Sequence, residues 1–402
     1  MKFKHLFTHA LAAAPARLHM AAHSHHLWPD ASREAQIEAW DDAATFADRK
    51  WDKVMGKVWE TARKNVATEL KLPSHETVVF APNTHELLVR LVSAFPKRPL
   101  RVLSTDGEFH SFRRQGARWA ESGAFELDLV AAEPFDDFAE RFIAKAKSGA
   151  YDLIFVSHVF FKSGRVFEKL ADLARLSKPD GPWVVLDGYH GFLAIPTDFK
   201  RASDRVFYLA GGYKYAMAGE GAAFMHAPPG YGPRPEISGW YAEFADLEGP
   251  PGGVGFARDA TRFIGATFDP SGLYRFNAAF QMLRDEGLST AAVSAHVAGL
   301  QQQFLDLVEA GEAGPFRDAT LLNPLDAKPH ARFLAFRHPD ANAWKAKLLE
   351  ANAVTDVRDD VLRVGLGLYH DPEDIDRFAS ICKQTLSGGS KPRRSKSAAP
   401  RS

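Results

Sequence analysis

The chain has 402 residues, 50 Lys+Arg against 50 Asp+Glu, and 46% hydrophobic residues. That length fits roughly two or three soluble globular domains, and the charge balance offers no global attraction to nucleic acid or an anionic membrane. No apolar run reaches membrane-spanning length, and the single cysteine, Cys382, excludes an intrachain disulfide and fits a reducing compartment.

The N-terminal stretch MKFKHLFTHALAAAPARLHM is basic and contains an AxA-like element, but His9 breaks its short apolar core. It is read as mature cytoplasmic protein, not a signal peptide. Residues 31–71 read as mostly helical, with Ile37, Trp40, Phe46 and Trp51 interleaved with charge and Pro73 ending the pattern. Short apolar runs then alternate with helical stretches. The runs are TVVFA (77–81), RVLST (101–105), DLIFVS (152–157), WVVLD (183–187) and RVFYLA (205–210). Helices are expected over 135–148 and 168–177. Continuous apolar strands separated by helices predict a mostly parallel sheet covered on both faces, with GAAFMHA (221–227) as an antiparallel addition.

The stretch 248–272 is a long Gly/Pro-rich connection, long enough to point to function. Helices near 273–286 and 289–311 follow, then strands at 331–337 and 361–366 and helices at 340–351 and 372–386. The expected organisation is an N-terminal segment 1–60 packing with the small domain, a large domain 61–285, a small α/β domain 286–386 and a tail 387–402. That tail, SGGSKPRRSKSAAPRS, lacks large apolar residues and is expected to be disordered.

In open α/β sheets, ligands sit beyond the carboxyl ends of the strands. Three such ends carry polar residues here. WVVL ends in Asp187 and continues to His190; RVFYLA leads into Lys214; TVVFA leads into Asn83, Thr84 and His85 at the start of a helix. Each has a plain structural reading: a strand-end aspartate caps a helix, an Asn-Thr pair caps by default, and a lysine on a glycine-rich turn is a loop lysine. Together they fit pyridoxal 5'-phosphate. The lysine would form the imine, the aspartate would keep the pyridine nitrogen protonated, and the helix start would take the phosphate.

These residues resemble fold-type I pyridoxal-phosphate enzymes of the class V aminotransferase group, and within it kynureninase. Asp187-x-x-His190 followed by Gly-Tyr213-Lys214-Tyr carries the resemblance, which spans about 17–385. It implies a large domain with a mostly parallel, seven-stranded sheet that binds the cofactor, a small α/β C-terminal domain, and a homodimer with shared active sites. GEFHSF (107–112) is similar to the segment whose phenylalanine stacks on the cofactor, which maps onto Phe109. The family's following acidic residue is replaced here by Phe112. SGWY (238–241) places Trp240 near the phosphate. GATFDPSG (265–272) maps Thr267 onto a threonine given to the partner subunit's phosphate. Arg363, in VLRVGLGLYH, maps onto the arginine for the substrate α-carboxylate; its alternative is pairing across the small domain's sheet. His23, Ser24 and His25, in a histidine-rich segment without metal-ligand spacing, are implied at the substrate pocket.

The resemblance implies that Lys214 first carries the cofactor and then moves the Cα proton. Tyr213 is implied as the proton donor in hydrolytic Cβ–Cγ cleavage of L-kynurenine. A class V aminotransferase, another lyase and a non-catalytic cofactor-binding protein are the competing readings. A cysteine desulfurase would need a nucleophilic cysteine near Arg363, whereas Cys382 lies in the expected last helix.

Overall fold

The computed structural model describes residues 2–246, 253–326 and 329–387. The expected tail beyond Ser387, and residues 248–252 of the Gly/Pro-rich connection, lie outside the described residues. In chain order the strands are β1 (Leu18–His19), β2 (Val78–Ala81), β3 (Leu100–Thr105), β4 (Phe125–Val130), β5 (Leu153–Ser157), β6 (Trp183–Asp187), β7 (Val206–Gly211) and β8 (Ala223–His226). The C-terminal part adds β9 (Thr320–Leu321), β10 (Phe333–Arg337), β11 (Ala353–Val354), β12 (Asp356–Arg358) and β13 (Val361–Gly365).

The central sheet has seven strands in the order β2-β8-β7-β6-β5-β3-β4. The pairs β4–β3, β3–β5, β5–β6 and β6–β7 are parallel, while β8 runs antiparallel to both β7 and β2. The expected mostly parallel sheet with one antiparallel addition is therefore observed. Strands β5, β7 and β8 are buried along their whole length, as a sheet with both faces covered requires. Strand β4 was not anticipated. It is an edge strand whose sequence FELDLV interleaves Glu126 and Asp128 with apolar residues and buries only Phe125, so it offers no continuous apolar run.

The 31–71 region is helical but broken. A helix over Asp30–Phe46 ends at Ala47, whose φ is 48°, and a π-helical turn over Val54–Trp59 precedes the helix Glu60–Leu70. The Asp30–Phe46 helix buries Ser32, Ala35 and Asp42, not its large apolar residues. It lies against the helix Ser271–Asp285, where the Tyr274 hydroxyl donates to Asp42 at 2.7 Å. Ile37, Trp40 and Phe46 are left on the surface.

The small sheet runs β12-β13-β10-β9, all antiparallel. The N-terminal segment is strapped to this domain through β1, which pairs in parallel with β11. The strap continues into β13: Gly365 N–H donates to Met20 O at 2.8 Å, and Ala22 N–H donates to Gly365 O at 3.2 Å. Leu18 and Met20 thereby join the apolar core of Phe304, Phe316, Phe336 and Phe378. The strap delivers His23 between Phe333 of β10 and His190, which follows β6.

Candidate active site

The carboxyl ends of β2, β3, β5, β6 and β7 open on one edge of the sheet, and a cavity of about 300 Å³ lies there. Asn83 and Thr84 follow β2, Phe109 and Ser111 follow β3, Ser157 ends β5, and Asp187, Tyr189 and His190 follow β6. Tyr213 and Lys214 follow β7. Ser24 from the N-terminal strap and Arg358 and Arg363 from the small domain close the far wall.

Lys214 sits on a tight turn. Met217 N–H donates to Lys214 O at 2.9 Å and Ala218 N–H donates to Gly212 O at 2.8 Å. Gly219 has a φ of 67°, and a side chain there would strike the Trp28 ring, so the turn needs glycine at that position. The turn aims the Lys214 amine into the cavity, 5.4 Å from the centre of the Phe109 ring and 5.2 Å from that of Tyr189. Its Nζ lies 2.6 Å from His190 Nε2. Burial lowers the Lys214 pKa to about 7; the Arg363 charge pushes the same way and Asp187 opposes it. Burial also holds His190 well below its ordinary value, aided by Lys214. A neutral His190 ring can accept from the amine.

Asp187 accepts the Tyr189 N–H at 3.0 Å. Burial raises its pKa, while that hydrogen bond and Lys214 pull it down. A second carboxylate near it, Glu108, was not singled out from the sequence. It is fully buried and accepts from Ser157 Oγ at 2.6 Å, from Ser157 N–H at 3.1 Å and from Thr105 Oγ1 at 3.1 Å. Ser157 is the register partner of Asp187 across β5 and β6. Burial raises Glu108 to about 8, Ser157 opposes this, and the nearby Asp187 adds to it.

Arg363 lines the cavity but is engaged from within. It is the cross-strand partner of Asp356, and its Nη2 donates to Asp356 Oδ2 while Nη1 donates to Phe161 O. The pairing across the small domain's sheet is therefore present although the buried Arg363 also lines the cavity. Arg358, two residues along β12, donates to Asp356 Oδ1 at 2.6 Å. Burial works against ionised Asp356, but Arg363, Arg358 and Ser24 hold its pKa below the ordinary value.

The other expected positions divide. Asn83 Oδ1 accepts from Glu86 N–H at 3.0 Å, so it caps the helix Thr84–Ser93 while also lining the cavity. His85 turns away and lines an open groove with His110, Arg113, Arg114 and Arg118. Phe112 points into the core, stacked on Phe155 at 3.9 Å, which leaves Ser111 as that turn's polar group at the cavity. His25 packs edge-on against Tyr213 at 5.0 Å. His23 lies behind the cavity, fully buried and stacked on Phe333 at 4.7 Å, with no hydrogen-bond partner at either ring nitrogen. Trp240 is 44% exposed on a 3-10 segment and packs on Tyr241. Neither Trp240 nor the exposed Thr267 lines the cavity of the single chain. Arg358, Asp356, Tyr189 and Glu108 were missed. The spacing Asp-x-Arg in TDVRDD was the available signal, but only strand register brings it to Arg363.

Residues 293–382 match the family model described as the kynureninase C-terminal domain. A curated kynureninase from Deinococcus radiodurans is 26% identical over 377 residues, covering 90% of this chain and 84% of that one. The chain is kynureninase-like. Among solved structures, a lysine-to-alanine mutant of C-DES with glycine covalently linked to its pyridoxal-phosphate cofactor superposes with a TM-score of 0.79 at 17% identity, over 96% of this chain and 100% of that one. The apo cysteine desulfurase of Thermococcus onnurineus gives 0.74 at 18% identity, over 93% and 96%. The cysteine desulfurase CsdA of Escherichia coli gives 0.76 at 16% identity, over 92% and 95%. The fold is that of the fold-type I pyridoxal-phosphate enzymes. No described helix is long and apolar enough to cross a membrane.

Proposed function

We propose that this protein is a pyridoxal 5'-phosphate enzyme acting on an α-amino acid, and that its reaction is hydrolytic cleavage of the Cβ–Cγ bond of L-kynurenine or a related aryl-ketone amino acid. The observation that carries the first part is the Lys214 amine, held between the Phe109 and Tyr189 rings with Asp187 on the next strand end. The residues present fit the cofactor. A low-pKa amine, a flanking aromatic face, a strand-end carboxylate and a helix start line one cavity. When bound, the cofactor supplies an electron sink for negative charge at the substrate α-carbon.

The chain's own residues divide the remaining work. Lys214 would hold the cofactor through Nζ, and its amine, with a pKa of about 7, is competent to move the α-proton at neutral pH. Asp187 would hold a positive charge on the cofactor's ring nitrogen. Phe109 would flank the cofactor ring, and Asn83 and Thr84 at the helix start would hold its phosphate. The Tyr213 hydroxyl, whose pKa burial raises, stays protonated and donates to the leaving carbon. Arg363 and Arg358 against one Asp356 leave one net positive charge, which matches a single α-carboxylate. The walls Val159, Phe161 and Tyr213 suit an aromatic side chain. Cleavage consumes one water and gives anthranilate and L-alanine from kynurenine.

In a homodimer, exposed Thr267 would serve the phosphate of the partner subunit's cavity, and Trp240 would lie near the phosphate. A desulfurase reading is disfavoured because the single cysteine, Cys382, is fully buried in the small domain's core. Product analysis with L-kynurenine tests the reaction. Anthranilate plus alanine supports it; a keto acid that appears only with an amino acceptor moves the protein to the aminotransferases. Cleavage of other amino acids but not of kynurenine moves it to another lyase.

A further inference from the structure

We propose that Asp356 is a waiting partner for Arg363: a substrate carboxylate takes Arg363 from it, and His23 then replaces Arg363 at Asp356. This rests on the reading of the cavity as an amino-acid site.

Three relationships carry it. First, Arg363 is only 2% exposed and both its terminal nitrogens are engaged, by Asp356 and by the Phe161 carbonyl. A carboxylate that arrives from the cavity meets a guanidinium already held from behind. Second, Asp356 is shared between two guanidinium groups, so it keeps Arg358 when Arg363 leaves. Third, His23 is fully buried with neither ring nitrogen partnered, and its Nε2 lies 3.9 Å from Asp356 Oδ2, just beyond hydrogen-bond reach. Gly365 makes room for it, since any side chain there would collide with the His23 ring.

The charges explain the order of events. His23 faces Arg363 and Arg358 from the small domain and His190 and Lys214 from the large one, and the Ser24 hydroxyl lies beside Asp356. Burial keeps the ring neutral in the free protein, and the Arg363, Lys214 and Arg358 charges add to that. A bound carboxylate cancels the Arg363 charge, and a freed Asp356 carboxylate favours the protonated ring. His23 then takes one proton from solvent as Asp356 moves to it. Carboxylate binding is thus linked to proton uptake, and affinity falls as pH rises.

The test uses holoenzyme titrated calorimetrically with propionate, which carries a carboxylate and no amine, from pH 6 to 8.5 and in two buffers of different ionisation enthalpy. The parent is expected to take up a proton and to lose up to about tenfold in affinity per pH unit. His23→Gln should still bind, without that uptake and with a flatter slope. Asp356→Asn should bind propionate several-fold more tightly and also lose the slope. The proposal is overturned by an unchanged slope in His23→Gln, by weaker binding in Asp356→Asn, or by the absence of propionate binding in the parent. If Asp356→Asn does not fold, the His23→Gln slope decides alone. L-alanine, followed by the absorbance of the bound cofactor, tests the amino-acid reading separately. No alanine response with an intact propionate slope removes that reading and leaves the exchange at Asp356 standing.

Discussion

The amine of Lys214 and the imidazole of His190 form a buried pair, Nζ to Nε2 at 2.6 Å, at the ends of adjacent parallel strands. Neither is charged at neutral pH to the degree its residue type usually is, because burial lowers both pKa values. The pair is a nucleophilic amine with a neutral acceptor beside it.

Lys214→Ala should keep the fold, since the side chain is held by one hydrogen bond and two ring contacts and not by the core. It should lose turnover and all borohydride-fixable cofactor. Peptide mapping of reduced parent protein should find the cofactor on Lys214; a label on a different lysine would sink the assignment.

Recombination of apoprotein with cofactor should speed up as pH rises and level off above about 7, the Lys214 value. Only the neutral amine attacks, so the protonated fraction below that pH is unreactive. His190→Phe should still bind cofactor but shift this profile. A rate that is flat between pH 6 and 8.5 would contradict the lowered amine pKa.

Asp187→Asn should bind cofactor and lose most turnover, on the order of a hundredfold or more, because an amide does not hold the ring nitrogen's proton. The bound cofactor's absorbance should change its pH dependence as well. Near-parental turnover rules out the role.

Glu108 makes a stability prediction. Its folded pKa of about 8 lies above the ordinary carboxyl value, so its contribution is full at acidic pH and fades as pH rises toward and through 8. Glu108→Gln, which mimics the protonated form, should compare best with the parent above pH 8 and worst near pH 4 to 5. Urea unfolding at both ends of that range checks the sign; a constant difference would refute it.

Lys214→Ala, inactive alone, and Thr267→Ala, weakened in cofactor binding, should recover some activity when co-expressed, through mixed dimers that contain one intact site. Light scattering that shows a fully active monomer would rule out the shared-site arrangement.

Strand ends were the most legible part of the molecule. Apolar runs that stop at Asp187, Gly211 and Ala81 are buried on both faces, and the first polar residues after them fall at the sheet edge where ligands bind. Lys214, Asp187, His190, Asn83 and Thr84 could be named from that rule because the chain carries them there locally. Surface selection within a helix was less legible. The apolar residues Ile37 and Trp40 marked the helix but stay on its surface, whereas Asp42 is buried with Ser32 and Ala35, because Tyr274 and Lys53 from other parts of the chain satisfy its charge. The far wall of the cavity was not legible at all. Asp356 meets Arg363 only through antiparallel register, and His23 reaches them only because β1 pairs with β11, more than 330 positions away in sequence. Local sequence decides which groups stand at the end of each strand; which groups face them across the cavity depends on long-range pairing that no single stretch encodes.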